Sequence, residues 1–184
     1  STTAGTNYTA AVMSKLPLGR NYADVVRQQP GVQEDNGETQ GRSLALSVYG
    51  STSAENLFLI DGVNTTNVIK GFQGKAINNE FVEEVEVKTG GYQAEYGRNT
   101  GGVVNVITKQ GGNEFHGGVF GYFDNASLRS DIKVEETPDY SQSGDAQLSN
   151  TFPKNTRWDA GLSLGGYFIK DRIWFFGAYN KTKT

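Results

Sequence analysis

From Trp158 to Phe168 the chain alternates without a break. Trp158, Ala160, Leu162, Leu164, Gly166 and Phe168 fall on one side. Asp159, Gly161, Ser163, Gly165 and Tyr167 fall on the other. A period of two excludes a helix and dictates an extended strand with two unlike faces. One face is apolar and the other is small or polar. The stretch also has the ~9–11 residues that a tilted strand needs to cross a bilayer. The pattern alone leaves two architectures open. A soluble antiparallel sheet would bury the apolar face, and a membrane β-barrel would turn it to lipid.

The flanking connections bear on that choice. Asn125–Asn155 has almost no periodicity and holds Pro138, Gly144 and Pro153, so it reads as a long loop. Lys170-Asp171 can make a tight turn, after which Arg172–Thr182 returns as a strand. Outer-membrane barrels pair long extracellular loops with short periplasmic turns. In a barrel, the strand near Phe115 would run outward, Trp158–Phe168 inward and Ile173–Thr182 outward again. The first part of the chain would then start from the periplasmic side. Trp158, Phe168 and Trp174 near strand ends fit interfacial girdles.

Composition narrows the classes further. The chain has 24 Gly among 184 residues, with 10 Phe, 9 Tyr and 2 Trp. No Gly period exists, which excludes collagen, and Gly with aromatics interrupts any heptad. The combination points to β structure with tight turns. No apolar run approaches the ~18–20 residues of a membrane helix, which does not bear on a β-barrel. A formal net charge of −3 offers no basic excess for nucleic acid. With no Cys there are no disulfides and no thiolate sites.

Up to about Gly111 the pattern mixes helix and strand. Thr9–Leu16 reads as a short helix stopped by Pro17. Asn21–Gln28 reads as a better one: Asn21 caps it, Asp24 follows three residues on, and Pro30-Gly31 ends it. Residues 33–43 read as a loop. Leu44–Tyr49 alternates and Leu57–Ile60 is a short apolar run, each closed by a turn signal, Gly50 and Asp61-Gly62. Asn64–Asn79 reads as a long loop. Phe81–Thr89 alternates, with Phe81, Val85 and Val87 toward a core and Glu84, Glu86 and Lys88 toward water. Tyr92–Thr100 is a loop or turn, and Val103–Lys109 is a β-branched strand.

Enzyme signatures are poor. Gly71–Ala76 has two residues between its glycines where a phosphate loop has four, and Ala76 stands at the Mg²⁺-binding position. His116 is the sole His, so no His pair can hold a metal. No G-x-S-x-G elbow occurs. Glu80, Glu83, Glu84 and Glu86 are explained by the solvated face of a strand.

Three segments together resemble one family. KLPLGRNYADVVRQQPGV (Lys15–Val32) resembles the opening of the plug domain of TonB-dependent outer-membrane receptors. NLFLIDGVN (Asn56–Asn64) resembles the strand and turn that follow. NEFVEEVEVKTGGYQAEYGRNTGGVVNVITK (Asn79–Lys109) resembles the plug's end. KTGGYQAEYGR and GGNEFHGGVFGYF are most similar to the Oar-like subgroup. The pattern departs at Tyr49-Gly50, where many members carry Arg-Gly, so ligand contacts of small-siderophore receptors do not transfer directly.

The resemblance implies an α+β plug domain with a small mixed sheet over residues 1–111. The first three antiparallel strands of a transmembrane β-barrel would follow over 112–184, with a long extracellular loop at about 125–156. The complete barrel would have about 22 strands, so the chain is expected to be a piece of a longer receptor. The implied function is plug-gated, energised movement of a peptide, protein, glycan or metal chelate across the outer membrane of a Gram-negative bacterium. The alternative is a scaffold or interaction subunit that keeps the plugged barrel without transporting. Neither role is enzymatic, and no cofactor, metal or catalytic residue is implied. Implied partners are a TonB-type coupling protein through a segment upstream of Ser1, the rest of the barrel, outer-membrane lipid and other surface proteins; nucleic acid is not among them. By resemblance, the loops after Tyr49 and Val63 sit at the plug's outward apex, making Asn64, Lys70, Phe72 and Gln73 candidate ligand contacts. Arg98, beside Glu95, is a candidate for locking plug to barrel, because guanidinium pairs bidentately with carboxylates. An exposed turn Arg is the alternative.

Overall fold

The computed structural model describes residues 4–34, 45–69, 71–97, 99–125, 128 and 156–183. The chain forms two units, Ser1–Gln110 and Gly111–Thr184.

In the first unit, strand β1 (Ala4–Thr9) leads into a single-turn helix α1 (Ala10–Met13), shorter than the expected Thr9–Leu16. Helix α2 (Tyr22–Val26) follows. Asn21 caps it: its side chain accepts from the Ala23 N–H at 3.2 Å, and the Asp24 carboxylate reaches back to the Asn21 N–H at 3.4 Å. Strands β2 (Val32–Glu34) and β3 (Leu46–Val48) form an antiparallel pair, so part of the expected 33–43 loop is strand. Leu44, expected in β3, lies outside the described residues.

The remaining strands are β4 (Leu57–Ile60), β5 (Val63–Asn64), β6 (Val82–Gly90) and β7 (Val103–Thr108). They join β1 in a mixed sheet of order β1-β6-β7-β4-β5, in which β4 and β7 run parallel. Asp61 and Gly62 both take positive φ (49° and 78°) in the two-residue turn from β4 to β5, as a tight hairpin requires. Asp61 also secures the end of β7, accepting from the Thr108 N–H at 2.9 Å and hydroxyl at 2.8 Å.

The β6 pattern departs from the expectation by one residue. A bulge at Glu83 puts Val82, Val85 and Val87 in the core and leaves Phe81 half-buried in a 3₁₀ turn (Asn79–Phe81). Of the acidic cluster, Glu80 pairs with Arg20 and Glu86 with Lys88, both at 3.2 Å. Both helices pack on β6. Tyr22, Val25 and Val26 meet Phe58, Val82, Val85, Val87, Val104 and Val106 in one hydrophobic core. Each such side chain contributes about 1.5–3 kcal/mol by leaving water.

Tyr22 is wholly buried, and burial pushes its phenol up to about 12. A raised phenol means that the folded state holds its proton after the unfolded chain has lost it. Stability is therefore intact below pH 10 and falls between pH 10 and 12. We expect a loss of up to about 3 kcal/mol across that window. Alkaline unfolding of the receptor should show it, and Tyr22→Phe should flatten it.

The second unit is a three-stranded antiparallel sheet, with β9 (Arg157–Ile169) between β8 (His116–Asp124) and β10 (Ile173–Lys183). Ile169–Arg172 forms the β9–β10 turn, with Asp171 at φ 62°. Asn113 secures it, accepting from the Asp171 N–H at 2.9 Å and from the Trp174 indole at 2.7 Å. Most of Asn125–Asn155 lies outside the described residues.

The β9 alternation holds, and its apolar side is the exposed one. Leu162 and Leu164 are half exposed and Phe168 is 72% exposed, whereas Asp159 on the opposite face is 5% exposed. A soluble sheet would bury the leucines, so of the two architectures that the pattern leaves open, the exposed apolar face favours a barrel wall. Small residues let the opposite face pack closely: a Cβ at Gly161 would lie 2.3 Å from Phe120, and one at Gly165 2.6 Å from His116. His116 stacks on Phe176 there.

Candidate functional site

Two loops of the first unit, those that follow Tyr49 and Val63, come together. The first leaves β3 through Tyr49 and Gly50, both in the left-handed region (φ 50° and 83°). That geometry costs a tyrosine about 1–2 kcal/mol. The Tyr49 N–H donates to Gly31 O at 2.7 Å, and its ring lies where a Gly31 Cβ would fall, 2.7 Å away. Residues 52–55 then form a capping box, with Glu55 accepting from the Thr52 N–H and from the Thr100 hydroxyl. These bonds, the Thr52 N–H foremost, lower the Glu55 carboxyl.

Asn56 fixes the base of this loop and is 3% exposed. Its amide nitrogen donates to Leu46 O, and its oxygen accepts from the Gly102 N–H at 2.8 Å. One side chain thereby ties β3 to the starts of β4 and β7.

The second loop runs from Asn64 to Gly74 and folds back on itself. A bridge joins Thr66 to Gln73, Asn67 N–H donates to Phe72 O at 2.8 Å, and Gly71 N–H to Asn67 O at 2.7 Å. The Asn67 side chain accepts from the Ile69 N–H at 3.0 Å, closing the tip. At Gly71 (φ 74°) the backbone lies against the first loop, so that a Cβ would fall 2.3 Å from the Ala54 Cα.

The four expected ligand contacts take different places. Asn64 is exposed, with its oxygen accepting from the Thr66 N–H at 2.9 Å. Phe72 and Gln73 are buried, 6% and 1% exposed. The Gln73 amide makes a reciprocal pair with Asn21, at 2.9 and 3.2 Å. These two side chains hold the loop from beneath and do not present themselves at its surface. Lys70 lies outside the described residues. Val68 and Ile69 fill the tip instead, 98% and 87% exposed. Their aliphatic side chains beside Asn67 in a polar stretch were the available sequence signal.

Of the expected locking pair, Arg98 lies outside the described residues. Glu95 is exposed on a 3₁₀ turn (Ala94–Tyr96). Tyrosines hold that segment. The Tyr92 hydroxyl donates to Gly101 O at 2.8 Å, and Lys88 donates to the Tyr96 hydroxyl at 2.8 Å.

Comparison with known proteins covers both units. Residues 1–104 match the TonB-dependent Receptor Plug Domain family, and residues 107–184 match the Outer membrane beta barrel domain family. The chain is 34% identical to the TonB-dependent transporter Oar of Myxococcus xanthus over 97% of its own length and 16% of that protein's. It is 30% identical to a probable TonB-dependent siderophore receptor, PirA of Acinetobacter baumannii, over 93% of its length and 22% of that protein's. The crystal structure of that PirA superposes with a TM-score of 0.64, covering 98% of this chain and 25% of that one at 26% identity. The outer membrane transporter YddB of Escherichia coli shares the fold, with a TM-score of 0.73 at 20% identity, covering 97% and 26% of the two chains. The chain thus spans about a sixth to a quarter of the relatives it matches.

Proposed function

This chain belongs to the TonB-dependent receptor family of Gram-negative outer membranes, and on that premise we propose that it supplies the plug and first barrel strands of an energised transporter. Residues 1–111 act as the plug and 112–184 as the start of the barrel wall. One observation carries the reading: a mixed-sheet unit and a strand set with an outward apolar face follow one another in a single chain that aligns almost end to end with part of a TonB-dependent transporter.

Cargo is recognised at the two joined loops. Asn64, Val68, Ile69 and Tyr49 provide the contact surface together with Lys70, while Phe72 and Gln73 fix the loop's shape. The exposed aliphatic tip and the absence of Arg at Tyr49 favour a peptide, protein or glycan over a small anionic chelate. Arg98, with Glu95 beside it, pairs with carboxylates on the rest of the barrel. Cargo binding shifts the plug's periplasmic side toward a TonB-type protein, which draws on it through a segment upstream of the plug. No step alters the cargo covalently.

The test is a deletion of the full-length gene, complemented by the wild type and assayed for uptake and export of labelled peptides, glycans and ferric chelates. Movement of at least one cargo should be lost on deletion, restored by the wild type and abolished by an uncoupler of the proton gradient. Unchanged movement of every cargo overturns transport and leaves the scaffold role.

A further inference from the structure

Where the second unit begins, the chain is fastened to a hairpin that lies far ahead in sequence. Gly111 lies against main chain: a Cβ there would fall 2.2 Å from Phe175 O and 2.7 Å from Gly166 O. Gly166 and Phe175 are register partners in β9 and β10. Two residues on, Asn113 uses both ends of its amide on the β9–β10 turn. Its oxygen accepts from the Asp171 N–H and the Trp174 indole, 58 and 61 residues away in sequence, and its nitrogen donates to the Asp171 carboxylate. Phe115 completes the grip. Its ring lies 2.4 Å from where a Gly166 Cβ would fall, with centroids 4.9 Å from Tyr167 and 6.3 Å from Phe175. Residues 111–115 thus hold the turn end of the β9–β10 hairpin before β8 has begun at His116.

Strand pairing alone does not call for this fastening. β8 is in register with β9 from His116 to Asp124, and β9 with β10 along the whole hairpin. What the grip changes is the path of load. Tension carried along the chain from Gln110 would otherwise arrive at His116, the first pair of β8, and strain that pair and its neighbours in turn. With 111–115 held, tension passes from Asn113 into the β9–β10 turn. From Gly111 and Phe115 it passes into the main chain and rings of β9 and β10, so three strands share it. Gly112 stands open between the held residues, since an added Cβ would meet nothing within 4 Å.

We propose that Asn113, with Gly111 and Phe115 beside it, is a mechanical stop that arrests tension drawn through the first unit and keeps the start of the barrel wall paired. The inference rests on the reading that the first unit is a plug drawn on during energised transport. It adds a limit to that movement: residues up to Gln110 can be extended and returned, while β8 keeps its register on β9. Asn113 is a positioning residue, acting through the β9–β10 turn and not on cargo.

The test is single-molecule pulling of the full-length receptor, held in a nanodisc and drawn from a handle at Ser1. Neither cargo nor coupling protein is present, so a failed transport assay leaves the outcome readable. The wild type should extend by roughly 360–400 Å, the length of residues 1–110 at ~3.3–3.6 Å each, and then pause. The lifetime of the pause at constant force reads the rate of release. Asn113→Ala, which removes all three hydrogen bonds, should shorten it on the order of tenfold. Trp174→Phe, which removes the indole donor alone, should shorten it less, and Gly112→Ala should leave it unchanged. Wild-type extension that runs through β8 without a pause overturns the proposal, as does release of β8 before the first unit has extended. An Asn113→Ala pause as long as that of the wild type overturns it too. Heat-modifiable migration on a gel verifies that each barrel is folded. Should the Asn113→Ala receptor fail to fold, Trp174→Phe decides the question, and an unshortened pause there overturns the stop.

Discussion

A receptor carrying Asn56→Ala should lose about 2–4 kcal/mol of stability in its first unit. The side chain is buried, and both ends of its amide are used. Truncation leaves Leu46 O and the Gly102 N–H without partners in a water-poor interior, and each such group costs about 1–3 kcal/mol. The loss is concentrated where three segments meet. A Cβ at Gly101 would fall 2.5 Å from the Asn56 oxygen, so the main chain of 101–102 is already pressed against this side chain. Hydrogen exchange on the full-length receptor is the direct measurement. Amides of β3 and of 102–106 should exchange roughly 30 to 1,000 times faster, as about 2–4 kcal/mol implies. Unchanged exchange would show that water replaces the amide at no cost.

Gly71→Val should have the largest effect on cargo. Its φ of 74° is one that a β-branched residue rarely adopts, and its Cβ would meet main chain at Ala54. The Ala54 segment cannot give way easily, because the capping box and Thr100 hold it. The 64–74 loop must therefore lift away from the Ala54 segment, carrying Val68 and Ile69 with it. Association with cargo should fall more than tenfold, a loss of at least ~1.4 kcal/mol. Gly90→Ala is the control, since its added methyl group meets nothing within 4 Å. Retention of cargo affinity by the Gly71→Val receptor, with faster exchange in residues 65–73, would separate loop order from recognition.

Elements with local causes were legible in the sequence. Helix α2 was readable because Asn21 and Asp24 make a self-contained cap. The β4–β5 turn was readable because Asp-Gly favours left-handed geometry. The two faces of β9 were readable because alternation is strict. What was not legible depends on distant partners. AGTNYT has no apolar alternation, and β1 exists because β6 offers it an edge. The inward core face of β6 was misplaced at Phe81 because a bulge leaves no mark in residue type. In the candidate site, Phe72 and Gln73 look like loop residues, and only the return of the loop onto Asn21 buries them. Which way the β9 apolar face points was also undecided by pattern, since leucine alternation serves a protein core and a lipid surface equally.

The position of β7 sets an order of assembly. It is the last strand of the first unit in sequence, yet it lies between β6 and β4. Until residues 103–108 arrive, the chain can hold only two separate half-sheets, β1 with β6 and β4 with β5. Each half-sheet offers an unpaired edge, and the β4 edge requires a parallel partner from more than 40 residues away, a slow pairing to find. During export the nascent plug therefore carries two adhesive edges at once. A single insertion, that of β7, seals both, so truncation just before Val103 should leave an aggregating chain, not a smaller folded plug.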